Sequence, residues 1–242
     1  KKSACAFSDL LAAAGITVGS YKSPDSETLA KREAEQRKEA KKHAAQAKAV
    51  WNEALPIAGT LAEAYLRGRG ITCQLPKSLR FHPNCWHGLT AKRYPAMVAA
   101  VQGNQLAAVH RTYLKTDGSG KADIEPSKMM LGATKRAAVR LSECRKHLVV
   151  AEGIETALSL SSGLLSAPAG VWAALSTSGM RGLALPPVAG HLTIASDGEQ
   201  AGREAANALA ARANDLGWQV TLLPAPDGLD WNDVLMMKGE TV

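Results

Sequence analysis

Three groups of acidic residues hold most of the chemistry available to this sequence. Glu152 directly follows an apolar run in Val149-Val150-Ala151-Glu152-Gly153, and Asp197 and Glu199 follow another in Ile194-Ala195-Ser196-Asp197-Gly198-Glu199. Asp230 and Asp233 lie in Asp230-Trp231-Asn232-Asp233. Carboxylates gathered in one place repel each other unless a cation neutralises them, and an all-oxygen ligand set selects a hard ion over zinc. The expectation is a magnesium or manganese site. Its oxygen donors would come from these acids. Any one of these acids also suits a helix N-terminus, and Asp230 precedes a short helix. Three groups at three strand ends fit a shared site better. Gly153 and Gly198 suit sharp strand-to-helix turns and the close approach of phosphates.

The elements that must position these acids alternate. From Lys146 onward the sequence reads strand, helix, strand, helix, strand, which predicts an α/β unit with a parallel sheet flanked by helices. The strands are His147 to Ala151, Val171 to Leu175, Leu192 to Ser196 and Trp218 to Leu223, with helices from Glu155 to Leu160 and Ala201 to Leu216. All four are short and apolar, as strands covered on both faces should be. In open parallel sheets, ligands gather at the carboxyl ends of strands, where the acids fall.

Upstream the patterns differ. A short helix is expected over Leu10 to Ala14, and Ser23-Pro24-Asp25 starts a long one running from Glu27 to about Leu55. Its first half is polar nearly all round. It reads either as a solvated helix held by Glu/Lys pairs, or as an arm whose Lys31, Arg32, Arg37, Lys38, Lys41 and Lys42 meet phosphates. Thr60-x-x-Glu63 reads as a capping box opening a helix from Leu61 to Arg67 that ends at Gly68 and Gly70. Strands come next at Leu79 to His82, Ala96 to Val101, Leu106 to Leu114 and Ala137 to Leu141, the middle two joined by a turn at Gly103-Asn104. The expected division is therefore 1–56 for the N-terminal segment and charged helix, 57–145 for a small α+β domain, and 146–242 for the parallel-sheet domain.

Composition narrows the function classes. With 242 residues and 46% hydrophobic content the chain can bury one large core or two modest ones. Its 29 Lys and Arg against 22 Asp and Glu give a net charge of +7, compatible with a polyanionic partner. No apolar run reaches the roughly 18 residues of a membrane span, which points to a soluble, cytoplasmic protein with no membrane partner. Cys5, Cys73, Cys85 and Cys144 are scattered, so reduced thiols are expected. Cys73, His82, Cys85 and His87 form a loose cluster with no C-x-x-C pair, which favours structural roles over zinc. The chain begins with Lys and is read as a piece of something longer.

The strings Ala151-Glu152-Gly153-Ile154-Glu155-Thr156, Asp197-Gly198-Glu199-x-Ala201-Gly202 and Asp230-Trp231-Asn232-Asp233 resemble, in order and spacing, the motifs of the Toprim fold. That fold is shared by DnaG-type primases, type IA and II topoisomerases and some nucleases. The resemblance is strongest to primases and primase-helicases of phages, plasmids and other mobile elements. It extends upstream through Ala64-Tyr65-Leu66-x-x-Arg69-Gly70-Ile71, Leu79 to Pro83, His110 to Leu114 and Pro126-Ser127-Lys128, and so covers nearly everything after residue 57.

The resemblance implies a primase catalytic core that makes short primers from nucleoside triphosphates on single-stranded DNA with Mg²⁺ or Mn²⁺, together with a replicative helicase in the same or a separate chain. It places Glu152, Asp197 and Glu199 as catalytic residues and first-choice metal ligands, with Asp230 and Asp233 completing the metal site directly or through water, and Arg111 and Lys128 at the template and incoming nucleotide. Two departures matter. The second motif ordinarily reads Asp-x-Asp, where this chain has Glu199, and an acid ordinarily stands where this chain has Thr156. Glu155, one residue earlier, is either a base acting behind the metal ligands or an acid on the helix surface. The zinc-binding domain common at primase N-termini is not visible. A nuclease using the same acids, and a non-catalytic module that binds DNA or a helicase, are the alternatives.

Overall fold

The computed structural model describes residues 25–105, 107–143 and 146–239. The helix expected over Leu10 to Ala14, together with Cys5, Pro24, Leu106 and Cys144, lies outside them. A boundary between two compact units falls between Glu39 and Ala40, within helix α1 (Ser26–Glu53). Asp25 caps this helix, its Oδ1 accepting the Thr28 N–H at 2.7 Å. As far as Glu39 nearly every side chain is exposed, and Glu33 and Arg37 form a pair one turn apart at 3.5 Å. From Ala40 the helix gains an apolar side: Ala44 and Ala47 are buried, and Val50 and Trp51 pack with Val98 and Val109.

The first sheet is antiparallel and in chain order: β1 (Leu55–Pro56), β2 (Leu79–His87), β3 (Lys92–Val101), β4 (Ala108–Tyr113) and β5 (Lys128–Gly132). Side chains alternate across it. Phe81, Met97 and Ala99 face the parallel sheet's core, while Val98, Val109, Ala96 and Tyr113 face the other way. The β3–β4 pairing around Gly103 is as expected from the sequence. β5 is not expected from it, because Lys-Met-Met-Leu-Gly offers neither alternation nor β-branched residues.

Helix α2 (Leu61–Gly68) starts at Thr60, but not through a reciprocal capping box. Thr60 Oγ1 donates to the Ile57 carbonyl, and Glu63 accepts from the Gly59 N–H at 2.8 Å rather than from Thr60. The box closes one residue early.

The second sheet has the order β10-β9-β7-β8-β6. Here β7 (His147–Ala151), β8 (Gly170–Ala173), β9 (His191–Ser196) and β10 (Gln219–Pro224) are parallel, and β6 (Val139–Arg140) is antiparallel to β8. The strand near Ala137 to Leu141, grouped by sequence with the middle domain, pairs as β6 with β8 of this sheet, and a bridge from Gln102 to Ala138 ties the two sheets together. One expectation needs correction. β10 is an edge strand with Thr221 and Leu222 exposed, so it is not covered on both faces.

Helix α3 (Ile154–Ser159), prolonged by a π-helical turn at Leu160–Leu164, covers one face of the parallel sheet beside α2. Helices α4 (Thr177–Gly182) and α5 (Gln200–Asp215) cover the other. The last helix is α6 (Trp231–Gly239). α4, with two glycines in six residues, carries almost no helical signal in its sequence.

Candidate functional site

β7 stands between β8 and β9, so the chain leaves it in one direction and returns on the other side. This reversal opens a crevice at the carboxyl ends of β7 and β9. Glu152 stands one residue past β7 and Asp197 one residue past β9. A cavity of about 230 Å³ lies there, lined by Glu152, Asp197, Glu199, Asp230 and Asp233 together with Thr177, Gly202 and the Gly228-Leu229 turn. All five expected ligands therefore share one small cavity.

The electrostatics record their crowding. Burial and the neighbouring Glu152 and Asp230 carboxylates push the Asp197 pKa up to about 6. Burial and Glu199 raise that of Glu152, against a hydrogen bond from the Thr177 N–H. Thr156, where an acid was the family expectation, instead turns its hydroxyl towards Asp197 Oδ1 at 3.4 Å. Glu199 occupies the N-cap position of α5 without using its side chain as a cap. Asp230 and Asp233 do serve as caps. Asp230 Oδ1 accepts from the Asn232 and Asp233 N–H groups, and Asp233 Oδ2 accepts from the Asp230 N–H.

Gly198 is required by the loop, not by a ligand. A Cβ there would run into the Pro226 carbonyl, and its N–H donates to Leu229 O at 2.8 Å. This packing sets the Asp227–Asp230 turn against the Asp197 strand end. Asn232 fixes the same region from the other side. It is buried, and its amide donates to Arg69 O at 2.8 Å and Ser159 Oγ at 2.9 Å.

Glu155 is not a surface acid. It is 4% exposed, accepts the Tyr65 hydroxyl at 2.8 Å on one oxygen and lies 3.1 Å from Lys128 Nζ on the other. Burial would raise its pKa, but Lys128, Lys121 and the Tyr65 hydroxyl outweigh that and hold it at about 2. Lys121, not singled out from the sequence, is half-buried beside Lys128, and burial and that neighbour lower its pKa. His110 is buried on the same face; desolvation takes its pKa down to about 4, so it is neutral at pH 7. Lys128 also acts on Glu152 and Asp197 electrostatically, so a cationic cluster flanks the acidic cavity. Only pairing across strands could have revealed Lys121, since a lone lysine carries no pattern.

Arg111 is not brought to the acids. Its side chain leaves β4 on the face opposite His110 and Thr112, is 7% exposed, and donates to the carbonyls of Trp86 at 3.2 Å and Met130 at 3.4 Å. Cys73, His82, Cys85 and His87 are dispersed as well. His82 pairs with Glu53, His87 bonds Thr90 and Pro126 O, and Cys85 is buried beside Tyr113.

Among the described residues no three His, Cys, Asp or Glu side chains stand close enough to grip one ion. The donor set around the cavity nonetheless fits a hard divalent cation. It is all carboxylate, and the raised Glu152 and Asp197 pKa values mark negative charge that a cation would relieve.

Residues 147–241 match the Toprim domain family, and residues 41–141 match a family described as a domain of unknown function (DUF7146). No curated protein matches the chain. Among solved structures, one described as the DnaG catalytic core is 15% identical, with 84% of this chain and 76% of that chain covered and a TM-score of 0.50. A DNA primase domain from Pseudomonas aeruginosa is 19% identical, covers 81% and 75%, and has a TM-score of 0.47. The RNA polymerase domain of the Mycobacterium tuberculosis primase DnaG is 17% identical, covers 82% and 79%, and also scores 0.47. At these identities the likeness is one of fold.

Proposed function

Because the chain carries a Toprim domain within the fold of the DnaG-type primase core, we propose that it is a nucleotidyltransferase that makes short primers on single-stranded DNA from nucleoside triphosphates. The observation that carries this reading is the meeting of five carboxylates on one cavity with Lys128 and Lys121 at its flank. Acids alone suit hydrolysis and synthesis equally. A cationic cluster beside them gives a triphosphate somewhere to lie.

Glu152, Asp197 and Glu199, with Asp230 and Asp233 directly or through water, would hold Mg²⁺ or Mn²⁺. When bound, the ion supplies charge neutralisation on the phosphates and lowers the pKa of the attacking 3′-hydroxyl. Lys128, oriented by Glu155, offers its ammonium to a phosphate oxygen, and Lys121 adds a second cation beside it. The 3′-oxygen then displaces pyrophosphate from the α-phosphate of the incoming nucleotide. Arg111 acts at one remove, through the strand carbonyls it holds. A replicative helicase, in the same chain or another, is the partner such a core would serve, in the cytoplasm where template and nucleotides meet. Among the described residues no helix is long and apolar enough to cross a membrane.

The test is incubation of the chain with single-stranded DNA, Mg²⁺ and labelled nucleoside triphosphates. Short products that vanish with Glu152→Gln support the reading. Cleavage of labelled DNA without nucleotides would replace it with a nuclease, and neither reaction would leave a binding module.

A further inference from the structure

The β2–β3 hairpin carries exposed apolar surface that no core needs. Trp86 is 46% exposed and Leu89, in the turn, is 71% exposed. Arg93 is the cross-strand partner of Trp86, and its guanidinium lies 5.7 Å from the indole centroid while donating to Asn84 O at 3.0 Å. Lys92 precedes it. The register sets the direction of this patch. Arg93 and Met97 share a face of β3, Met97 pairs with Thr112, and Thr112 pairs with Lys128. Trp86 therefore opens on the sheet face that carries Lys128, at the end of the sheet the parallel domain leaves bare.

The Trp86 backbone is also held with unusual care. Its carbonyl accepts from both Arg111 Nη1 at 3.2 Å and the Tyr113 hydroxyl at 2.7 Å. Among the described residues Arg111 forms no ion pair, although a buried guanidinium ordinarily demands a carboxylate. Here two buried polar side chains fix the strand under a single exposed ring.

We propose that Trp86, flanked by Arg93, is a stacking platform for an unpaired base of single-stranded DNA, and that Arg111 and Tyr113 are positioning residues for it. A flat π-face accepts any unstacked base, and the adjoining guanidinium meets a neighbouring phosphate. The occupant is identified by this pairing of ring and charge, by the net charge of +7, and by the shared sheet face leading to Lys128. A duplex offers no free base face along its length. The inference rests on nucleic acid being the substrate, but not on primer synthesis.

The experiment measures fluorescence anisotropy of a labelled fifteen-nucleotide oligo(dT) and of an abasic oligomer of equal length, without nucleotides. The chains compared are wild type, Trp86→Ala and Trp86→Phe, with thermal melts confirming that each variant folds. Wild type should bind oligo(dT) more tightly than the abasic strand. Trp86→Ala should weaken oligo(dT) binding by about 5- to 150-fold, the range for loss of one base–aromatic stack, and leave abasic binding unchanged. Trp86→Phe should recover most of the loss. Equal affinity of Trp86→Ala and wild type for oligo(dT), or an equal loss on both strands, would overturn the platform alone. No binding of either strand by wild type would overturn it together with the nucleic-acid reading.

Discussion

Lys128 and Glu155 join the two sheets: the Nζ of the first, at the start of β5, stands 3.1 Å from the Oε2 of the second, in the first turn of α3. The carboxylate is buried and the lysine half-exposed, so the pair orients a cation beside the acidic cavity from a fixed base. Removing Glu155 strands the buried Tyr65 hydroxyl but leaves Lys128 within reach of water. Glu155→Ala should cost about 1–3 kcal/mol in urea unfolding, and Glu155→Leu with Lys128→Met should recover part of it. The pH dependence has a definite sign. The Glu155 pKa is depressed on folding, so its contribution is complete above the ordinary glutamate value of 4.5 and disappears as pH falls through about 2. Acid unfolding of wild type should therefore steepen in that window, and Glu155→Gln should flatten it.

Asp197 has the opposite sign. Its pKa is raised to about 6 by burial and by Glu152 and Asp230, so the metal-free fold loses stability as pH rises from the ordinary aspartate value of 3.8 through 6. Asp197→Asn should raise the metal-free Tm at pH 7.5 by about 2–4 °C, the shift given by ~1 kcal/mol in a chain of this size. The same substitution should abolish synthesis and weaken Mn²⁺ binding at least about 100-fold. For wild type, Mn²⁺ affinity measured by calorimetry should fall with decreasing pH below about 6, as protons compete for Asp197, and level off above it. Affinity independent of pH between 5 and 7 would separate Asp197 from the ion.

The acidic cavity is legible in the sequence because its parts are local. Short apolar runs ending in Glu152 and Asp197 announce both the strands and the acids at their ends, and Asp230-x-x-Asp233 announces a helix start. The cationic flank is only half legible. Lys128 stands in a recognisable motif, whereas Lys121 and Tyr65 meet Glu155 through pairings that span tens of residues. Glu155 resembles a surface acid because its helix, although buried all round, carries three polar residues in six, which leaves periodicity nothing to distinguish. Arg111 misleads for a related reason: a basic residue in a strand declares its type, but its face depends on register, and here register turns it away from the acids. The pairing of β6 with the parallel sheet is not legible, because two residues of strand carry no signal of which edge they join.

Asn232 predicts a stability effect that runs across the whole core. Its buried amide bonds both Arg69 O and Ser159 Oγ, so it ties α6 to the end of α2 and to α3. Asn232→Leu fills the space but leaves the Arg69 carbonyl unpaired, while the Ser159 hydroxyl keeps its bond to the Glu155 carbonyl. The expected cost is about 1–3 kcal/mol, that of one stranded acceptor, and more than its change in volume would give. Hydrogen exchange should show the α6 amides opening more readily than those of α5. An exchange pattern unchanged from wild type would mean that packing of Leu235 alone holds the helix.

Gly198 and Gly228 sit in two loops that pack against each other beside the cavity, and they should respond differently to the same substitution. Gly228 has φ +75° and open space where a Cβ would go. Gly228→Ala therefore meets only the left-handed backbone penalty, about 1–2 kcal/mol, and leaves the loop in place. At Gly198 the backbone is unremarkable but the space is taken by the carbonyls of Pro226 and Leu229. Because backbone cannot rotate aside as a flexible side chain does, Gly198→Ala must push the Asp227–Asp230 turn away from the Asp197 strand end. Strain of this kind costs about 1–3 kcal/mol, similar in size to the other, so melting temperature alone will not separate the two variants. Metal binding will: Gly198→Ala moves Asp230 relative to Asp197 and should weaken Mn²⁺ binding by about 10- to 100-fold, whereas Gly228→Ala should stay within about threefold of wild type. Equal losses in the two variants would show that Asp230 does not contribute to the ion's affinity through its placement beside Asp197.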